Sequence, residues 1–151
     1  MHTVAVLSLK GGVGKTTVAL GIASAALRRG TRTLVADLDP QGNATATLDP
    51  PLTDATLADV LEAPRLGVLL KAIAASGWSD EVDVLVGSED LELLNEPGPH
   101  AHRMDNLARA LHELRTYPQG KPYELVILDC PPSLGRLTRS ALIAADSALL
   151  V

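Results

Sequence analysis

The sequence contains very few aromatic residues: its 151 residues include no phenylalanine, one tryptophan and two tyrosines. Hydrophobic residues nevertheless make up 46% of the chain, so the composition is not that of a disordered protein. The core must therefore be built from alanine, valine, leucine and isoleucine, which suits a sheet covered by helices with small side chains. The length is sufficient for one domain with a core of its own.

Cysteine is equally scarce. The single cysteine, Cys130, excludes an internal disulfide and a cysteine-rich metal site, and it is typical of a reducing compartment. No apolar run in the sequence approaches the length that spans a membrane. Met1 is followed directly by an apolar strand pattern, which is not the pattern of a signal peptide. We therefore expect a cytoplasmic protein with no membrane partner.

Basic charge is also limited, because the formal net charge is −5. This balance argues against a nucleic-acid surface over the whole chain, although it is compatible with a local basic patch. The visible arginine clusters are small: Arg28, Arg29 and Arg32, and Arg136 with Arg139. For Arg28 and Arg29 the favoured interpretation is a favourable charge at the end of a helix.

A glycine-rich stretch, Lys-Gly-Gly-Val-Gly-Lys-Thr-Thr, lies between an apolar strand pattern and a helical pattern. This order predicts a phosphate-binding loop, in which backbone N–H groups and the helix N-terminus face an anion. Lys15 can reach the β- and γ-phosphates of a nucleotide, and Thr16 can ligate Mg²⁺ through its hydroxyl group. The candidate nucleotide-binding residues are Lys10, Gly11, Gly12, Val13, Gly14, Lys15, Thr16 and Thr17.

The loop departs from the common pattern G-x-x-x-x-G-K-[ST], because Leu9 occupies the position of the first glycine. Lys10 opens the loop instead, and in this form the loop resembles the deviant Walker A loop of the ParA and MinD superfamily. The resemblance implies an ATP-binding protein, and it implies that Lys10 reaches across a dimer to the nucleotide of the partner subunit. On this basis Lys10 and Lys15 are candidate catalytic residues.

Two aspartates follow the second apolar strand pattern, and a third follows a later one. Asp37 and Asp39 share a face of the predicted strand, at the carboxyl end where α/β sheets bind ligands. Such carboxylates can hold the water shell of a metal ion and orient an attacking water. For Asp39, a residue that opens a turn before Pro40 is an equally good interpretation. Asp129 matches the strand-end aspartate that binds Mg²⁺ in phosphate-loop proteins, but any buried strand can end in aspartate.

The residues that follow these aspartates extend the resemblance. Residues 37–45 (Asp-Leu-Asp-Pro-Gln-Gly-Asn-Ala-Thr) resemble the first switch of ParA-type partition ATPases, and residues 129–135 (Asp-Cys-Pro-Pro-Ser-Leu-Gly) resemble the second switch. The resemblance implies that Asp39 positions the hydrolytic water, which makes it the third candidate catalytic residue. The candidate Mg²⁺ residues are Thr16, Asp37 and Asp129.

The hydrophobic periodicity predicts strands over residues 3–9, 32–38, 82–86, 124–128 and 147–151. It predicts helices over residues 15–29 and 103–116, two short helices within 54–75, and a last helix over about 134–144. Gly30 is expected to end the first helix in the left-handed conformation. The order of elements indicates a three-layer α/β fold of the phosphate-loop NTPase type, with a mainly parallel sheet and helices on both faces.

Three further residues receive structural interpretations. Cys130 is expected to be a buried small residue and not a nucleophile, because no activating partner is evident in the sequence. His100 and His102 lie in a loop rich in proline and glycine. Without a third ligand signal, these histidines are expected to be solvated and not bound to a metal.

The resemblance covers residues 4–151 and implies Mg²⁺-dependent ATP hydrolysis that acts as a switch in chromosome or plasmid partition. It implies an ATP-dependent homodimer that binds DNA without sequence preference, and a ParB-like partner that stimulates hydrolysis. The protein would be cytoplasmic and associated with the nucleoid when ATP is bound. Because the sequence stops inside a predicted strand, we expect an N-terminal part of a longer protein or a natural truncation. The base pocket and the DNA-binding surface would then lie beyond Val151.

The sequence leaves alternatives open. A MinD-like regulator of division-site placement would use a C-terminal membrane helix, although Pro-Gln-Gly-Asn at residues 40–43 favours a ParA-type protein. A reductase of the nitrogenase iron protein type needs two cysteine ligands per subunit, whereas this chain has one cysteine. A nucleotide-binding fragment without catalysis is a further alternative.

Overall fold

The computed structural model describes residues 1–98, 101–119 and 121–151. The strands are β1 (His2–Leu7), β2 (Thr33–Asp37), β3 (Ile73–Ala75), β4 (Val82–Leu85), β5 (Leu125–Asp129) and β6 (Ser147–Leu150). The helices are α1 (Lys15–Arg28), α2 (Asn43–Leu48), α3 (Leu57–Glu62), α4 (Leu66–Ala72), α5 (Leu91–Asn95), α6 (Asn106–Thr116) and α7 (Arg136–Ala144). Among these described helices, none is both long and apolar enough to cross a membrane.

The described strands form one sheet in the order β3-β4-β2-β5-β1-β6. All pairs are parallel except β3, which is antiparallel to β4. Apart from Thr33 and the final aspartates, the central strands β2 and β5 consist of apolar residues. All their residues except the partly buried Leu125 are buried, as expected where helices cover both faces of a parallel sheet. The predicted α/β fold with a mainly parallel sheet is confirmed, and each predicted strand lies within two residues of its expected bounds.

Alternate residues of the strands face two separate apolar layers. On β5, Ile127 packs in the layer beneath α1 and α2, whereas Val126 and Leu128 pack in the layer beneath α3 to α7. The fully buried alanines Ala19 and Ala23 let α1 approach the sheet closely. The result is three layers with the sheet in the middle, as predicted.

Helix α1 ends as the sequence predicts. Gly30 has a φ of +69°, in the left-handed region that favours glycine. The N–H of Gly30 donates to the Leu27 carbonyl at 2.9 Å, and the N–H of Thr31 donates to the Ala26 carbonyl at 3.0 Å. These bonds satisfy carbonyl groups of the last turn, so the left-handed glycine cap is confirmed.

Three elements differ from the predictions. Helices α2 and α5 were not predicted, because they contain six and five residues and are too short to show a helical hydrophobic period. Residues 73–75 were predicted as the end of a helix but form β3. The edge of β4 explains this difference, since Ala74 pairs there with Val84.

His102 is buried, so the expectation of a solvated side chain is wrong. The residue is 6% exposed, and its Nε2 lies 2.9 Å from Ser140 Oγ on α7. Proline and glycine residues indicate a loop in the sequence, but they do not indicate whether a helix packs over that loop. The neighbouring His100 lies outside the described residues.

Strand β6 lies at one edge of the described sheet and pairs with β1 on its inner side. All four of its residues are exposed, and Leu150 is 66% exposed. An exposed apolar edge strand offers its N–H and C=O groups to another strand, which favours association between chains.

We predict that the 151-residue chain, taken alone, associates with itself through β6. Leu150→Lys should prevent this association, because a charge on an edge strand opposes pairing. Sedimentation velocity should show the average mass of the parent rising with concentration, while the variant stays monomeric. Leu52→Lys is the control, because Leu52 is fully exposed outside the sheet. Equal association of all three proteins would contradict the role of β6.

Candidate functional site

The loop between β1 and α1 is shaped by its glycines. Gly12 and Gly14 have φ values of +72° and +89°, which residues with a side chain rarely adopt. Gly14 is the N-cap of α1, and within the described residues no side chain caps this helix. The first N–H groups of α1 can therefore bind an anion, in agreement with the predicted phosphate-binding loop.

A cavity of about 400 Å³ lies over this loop. All eight predicted loop residues line it: Lys10, Gly11, Gly12, Val13, Gly14, Lys15, Thr16 and Thr17. The rest of its wall consists of Ser8, Asp39, Gln41, Asn43 and Pro132. The cavity thus joins the loop to both motifs, at residues 37–45 and 129–135, and it has the size of a small-ligand site.

Lys15 is held beside the cavity by two carboxylates. Its Nζ donates to Asp129 Oδ1 at 2.9 Å and lies 3.9 Å from Asp39 Oδ2. The Lys15 side chain is only 7% exposed, so water screens its ion pair with Asp129 weakly. An anion in the cavity would compete with Asp129 for the Lys15 ammonium group.

Asp129 contacts two residues of the loop. Its side chain is fully buried, and its Oδ2 accepts a hydrogen bond from Thr16 Oγ1 at 2.7 Å. Burial raises the pKa of Asp129 above its ordinary value, while the Thr16 hydrogen bond and the charge of Lys15 oppose this rise. The structure therefore brings together two of the predicted Mg²⁺ residues, Thr16 and Asp129, which lie 113 positions apart.

Asp37 lies beside Asp129, because the two residues are paired across β2 and β5. Its carboxylate accepts the N–H of Asp39 at 3.2 Å and the N–H of Thr45 at 2.7 Å. Thr45 belongs to the first turn of α2, so Asp37 anchors the N-terminus of that helix. Burial raises the pKa of Asp37 to about 6 against the hydrogen bond from Thr45, and the charge of Asp129 adds to the rise. The sequence did not predict this anchoring role, and the metal role of Asp37 stays a prediction.

Asp39 makes two distinct contacts. Its Oδ1 accepts the N–H of Gln41 at 3.0 Å, which forms a turn around Pro40. Its Oδ2 lies 3.9 Å from the Lys15 ammonium nitrogen, and the residue lines the cavity. Asp39 therefore forms a turn and also faces the place where phosphates would bind. Its action on a water molecule stays a prediction.

Lys10 lies on the exposed rim of the cavity. Its carbonyl accepts a hydrogen bond from Ser8 Oγ at 2.8 Å, which fixes the backbone at the start of the loop. The Lys10 side chain is exposed, whereas the Lys15 side chain is buried. The charge of Lys10 can therefore contact a second molecule. Its predicted action across a dimer stays a prediction.

The donor set around the loop suits Mg²⁺ held together with phosphates. Within the described residues, no group of three or more histidine, cysteine, aspartate and glutamate side chains forms a complete metal site. Mg²⁺ usually keeps several waters and takes one or two carboxylates together with phosphates, and Thr16, Asp37 and Asp129 offer such oxygens. The negative charge of Asp37, Asp39 and Asp129 together exceeds the positive charge of Lys15, and a divalent cation would offset the excess.

The sequence did not identify the remaining residues of the cavity wall: Ser8, Gln41, Asn43 and Pro132. Their position inside or next to the three motifs is the signal that could have indicated them. Cys130, which follows Asp129, is fully buried as predicted. Burial raises the pKa of its thiol to about 12, so Cys130 is not a nucleophile at neutral pH.

Comparison with known proteins agrees with this geometry. A family model described as an AAA domain matches residues 1–151. The chromosome partitioning protein ParA of Caulobacter vibrioides is 38% identical, over 97% of this chain and 54% of that protein. The chromosome-partitioning ATPase Soj of Thermus thermophilus is 37% identical, over 99% of this chain and 54% of that protein. The chain thus spans about half the length of the curated relatives it matches.

A solved structure shows the same fold. The cobyrinic acid a,c-diamide synthase of Mycobacterium smegmatis, with bound ADP and magnesium, has a TM-score of 0.78 to this chain at 33% identity. The match covers 99% of this chain and 59% of that protein. The likeness therefore extends over the complete sheet and both helical layers.

We predict that Asp37 makes the stability of the free protein fall as pH rises from about 4 to about 6. The folded chain keeps the Asp37 proton up to about pH 6, whereas the unfolded chain loses it near the ordinary pKa of 3.8. The folded state therefore binds more protons in this window. Across this pH window, the contribution of Asp37 to the free energy of unfolding falls by on the order of 2 kcal/mol.

Asp37→Asn removes this titration. In urea unfolding, the stability of Asp37→Asn relative to the parent should rise by on the order of 2 kcal/mol from about pH 4.5 to about pH 7.5. Asp54→Asn, at an exposed position, is the control and should follow the parent. A constant difference between Asp37→Asn and the parent over this range would contradict the raised pKa.

Proposed function

The chain belongs to the AAA domain family that includes the ParA-type partition ATPases, and from this premise we propose that it binds Mg·ATP and hydrolyses it. Hydrolysis would act as a switch in the partition of chromosomes or plasmids. One observation carries the proposal: Asp129 joins Lys15 and Thr16 of the glycine-shaped loop through two hydrogen bonds. Binding of β- and γ-phosphates together with a metal ion uses residues of these types in this arrangement.

Nucleotide binding would begin with an exchange of partners at Lys15. The Lys15 ammonium group leaves Asp129 Oδ1 and binds phosphate oxygens. The loop N–H groups and the N-terminus of α1 bind further phosphate oxygens. The exchange is electrostatically favourable, because the phosphates carry more negative charge than the carboxylate they replace.

The exchange couples phosphate binding to cation binding. When Lys15 leaves, the buried Asp129 carboxylate loses its ion pair, and an unpaired buried charge is unfavourable. Thr16 Oγ1, with the carboxylates of Asp129 and Asp37 nearby, would hold Mg²⁺, which neutralises charge on the β- and γ-phosphates when bound. Phosphate and cation are therefore expected to bind cooperatively. Each should bind more weakly when the other is absent.

Asp39 would orient the attacking water. The hydrogen bond from the Gln41 N–H fixes its carboxylate, and Oδ2 faces the side of the cavity where Lys15 lies. Phosphoryl transfer needs little covalent chemistry from the protein, so orientation and charge stabilisation are sufficient roles for Asp39 and Lys15.

We also propose that Lys10 contacts the nucleotide of a second subunit, so that ATP controls dimer formation. Its exposed position on the rim of the cavity supports this role. By its resemblance to ParA-type proteins, the dimer would act in the cytoplasm, bind DNA without sequence preference and respond to a ParB-like partner. The matched relatives are about twice as long as this chain, and these activities are proposed for the whole protein.

Lys15→Gln should weaken Mg·ATP binding about 10- to 100-fold, because it removes a charged hydrogen bond to phosphate. Glutamine retains a donor near Asp129 and is less disruptive to this buried position than alanine. Isothermal titration calorimetry measures the affinity, and circular dichroism checks the fold. Lys71→Gln, at an exposed lysine of α4, is the control and should bind as the parent does. Unchanged affinity of Lys15→Gln would exclude Lys15 from the phosphate site.

Asp39→Asn should bind Mg·ATP like the parent but release phosphate at least about 100-fold more slowly, because the amide cannot orient water as a carboxylate does. Asparagine keeps the oxygen that accepts the Gln41 N–H, so the turn is retained. Asp39→Ala removes both the turn contact and the charge. If Asp39→Asn turns over ATP like the parent while Asp39→Ala does not, Asp39 is a turn residue only. Binding without turnover in the parent would favour a non-catalytic nucleotide-binding protein.

A further inference from the structure

Helix α7 begins where the second motif ends, and its cap comes from another part of the chain. Its N-cap residue is Gly135, and within the described residues its own N-terminus supplies no side-chain cap. Asn95, the last residue of α5, instead accepts the N–H of Leu137 at 3.3 Å through its Oδ1. Asn95 therefore acts on α7 as an N-cap side chain acts on its own helix.

Gly135 packs directly against the side chain of Asn95. Its φ of −66° is available to any residue, so backbone conformation does not require glycine here. A Cβ at position 135 would collide with Asn95 Oδ1 and would lie 2.9 Å from Asn95 Cγ. A side chain at position 135 would therefore displace the Asn95 amide from the contact between α5 and α7.

His102 makes a second connection to the same helix. Its carbonyl accepts a hydrogen bond from the Arg136 side chain. Its Nε2 lies 2.9 Å from Ser140 Oγ, one turn further along α7. Because His102 is buried, water competes little for these contacts. Asn95 and His102 together hold the first two turns of α7.

Helix α7 is continuous with a loop that forms part of the wall of the cavity over the glycine-rich loop. Residues 130–135 connect Asp129 to α7 and include two consecutive prolines, which restrict the backbone. Pro132 lines the cavity. Thr138 on α7 donates to the Ser133 carbonyl at 2.6 Å, which ties this loop to the helix. A shift at the start of α7 is therefore transmitted to the cavity wall.

We propose that Asn95 is a positioning residue for this cavity and that His102 assists it. These two residues, called here the latch, fix the start of α7 and so set the distance between the 130–135 loop and the phosphate-binding loop. The latch rests on the proposed function only for the identity of the ligand in the cavity.

One end of the latch, Asn95, lies in a short helix. Helix α5 has five residues, of which only Leu91 and Leu94 are buried. A short helix with few buried contacts opens at low free energy. Loss of the Asn95 hydrogen bond should therefore loosen the 130–135 loop while the sheet stays folded.

Cys130 provides a direct probe of this opening. It is the only cysteine in the sequence, it is the first residue of the loop, and it is fully buried. Its thiol shares an apolar layer with Leu94 of α5 and Leu137 of α7. The rate at which an aromatic disulfide reagent modifies Cys130 in the 151-residue chain, under native conditions, therefore reports local opening. Urea unfolding of the same samples reports global stability.

Asn95→Ala should raise the rate of Cys130 modification about fivefold to tenfold, because loss of a helix cap changes the opening equilibrium by roughly that factor. Asn95→Asp keeps an acceptor oxygen and should restore the parent rate. Leu93→Ala, at a 64% exposed position of the same helix, is the matched control and should leave the rate unchanged. His102→Leu should act in the same direction as Asn95→Ala.

Gly135→Ala tests the same contact. If Asn95→Ala does not fold, an unchanged modification rate for Gly135→Ala alone overturns the proposal. In the parent and in Asn95→Asp, the added methyl group collides with residue 95 and should speed modification. In Asn95→Ala the collision is absent, so Gly135→Ala should change the rate by less than about twofold. If Gly135→Ala and Asn95→Ala change the rate independently, so that their fold-changes multiply in the double variant, the proposal is overturned. Equal rates in the parent, Asn95→Ala and Gly135→Ala would overturn it as well.

Mg·ATP separates this inference from the proposed function. Bound nucleotide should slow Cys130 modification in the parent. If Mg·ATP leaves the rate of Cys130 modification unchanged while the latch substitutions raise that rate without nucleotide, the latch stands and the proposed function fails. If Mg·ATP protects Cys130 while the latch substitutions change nothing, the nucleotide site stands and the latch is wrong.

Discussion

The buried ion pair between Lys15 and Asp129 is the contact on which the rest of the site depends. It joins the loop after β1 to the end of β5, and these two strands are neighbours in the sheet. Removing one partner of a buried ion pair costs about 3–5 kcal/mol, so each residue needs a partner even when no ligand is bound. The pair therefore fixes the start of α1 against the end of β5. In the proposed function, it is the contact that a phosphate group would replace.

The order of the strands explains why acidic groups gather beside this pair. Because β2 and β5 are neighbours, the aspartates at their ends, Asp37 and Asp129, are paired directly, and Asp39 follows two residues later. Burial is the main cause of the raised pKa values of Asp37 and Asp129, and repulsion between carboxylates adds to both. A cluster with this charge balance gains from a cation. The parallel sheet thus places the carboxylates that we propose to hold a cation beside the loop that we propose to bind an anion.

The sheet and the loop could be predicted from the sequence because their signals are local: apolar runs for the strands, and glycines before a helix for the loop. That Thr16 and Asp129 belong to one site was predicted from their separate motifs, since no local pattern links residues 113 positions apart. Their direct hydrogen bond was not predicted. Neither helix α2 nor the burial of His102 was predicted, because each depends on a partner outside its own segment. Asp37 anchors α2, and Ser140 on α7 receives the ring of His102. Short segments take their structure from such partners more than from their own periodicity.

The helices around the cavity share one kind of N-terminus. The N-caps of α1, α2 and α7 are Gly14, Gly42 and Gly135, and within the described residues none of these glycine-capped ends has a cap from its own side chains. For α2 and α7 a residue outside the helix accepts the N–H: Asp37 for α2 and Asn95 for α7. For α1 the N–H groups face the cavity, where an anion can accept them. A cap that comes from another segment ties the position of the helix to that segment, so the start of α2 depends on Asp37 and the start of α7 depends on Asn95. A ligand that draws Asp37 toward a cation would act on α2 through the hydrogen bond between Asp37 and the Thr45 N–H. This bond would link binding at the N-terminus of α1 to the position of residues 37–45.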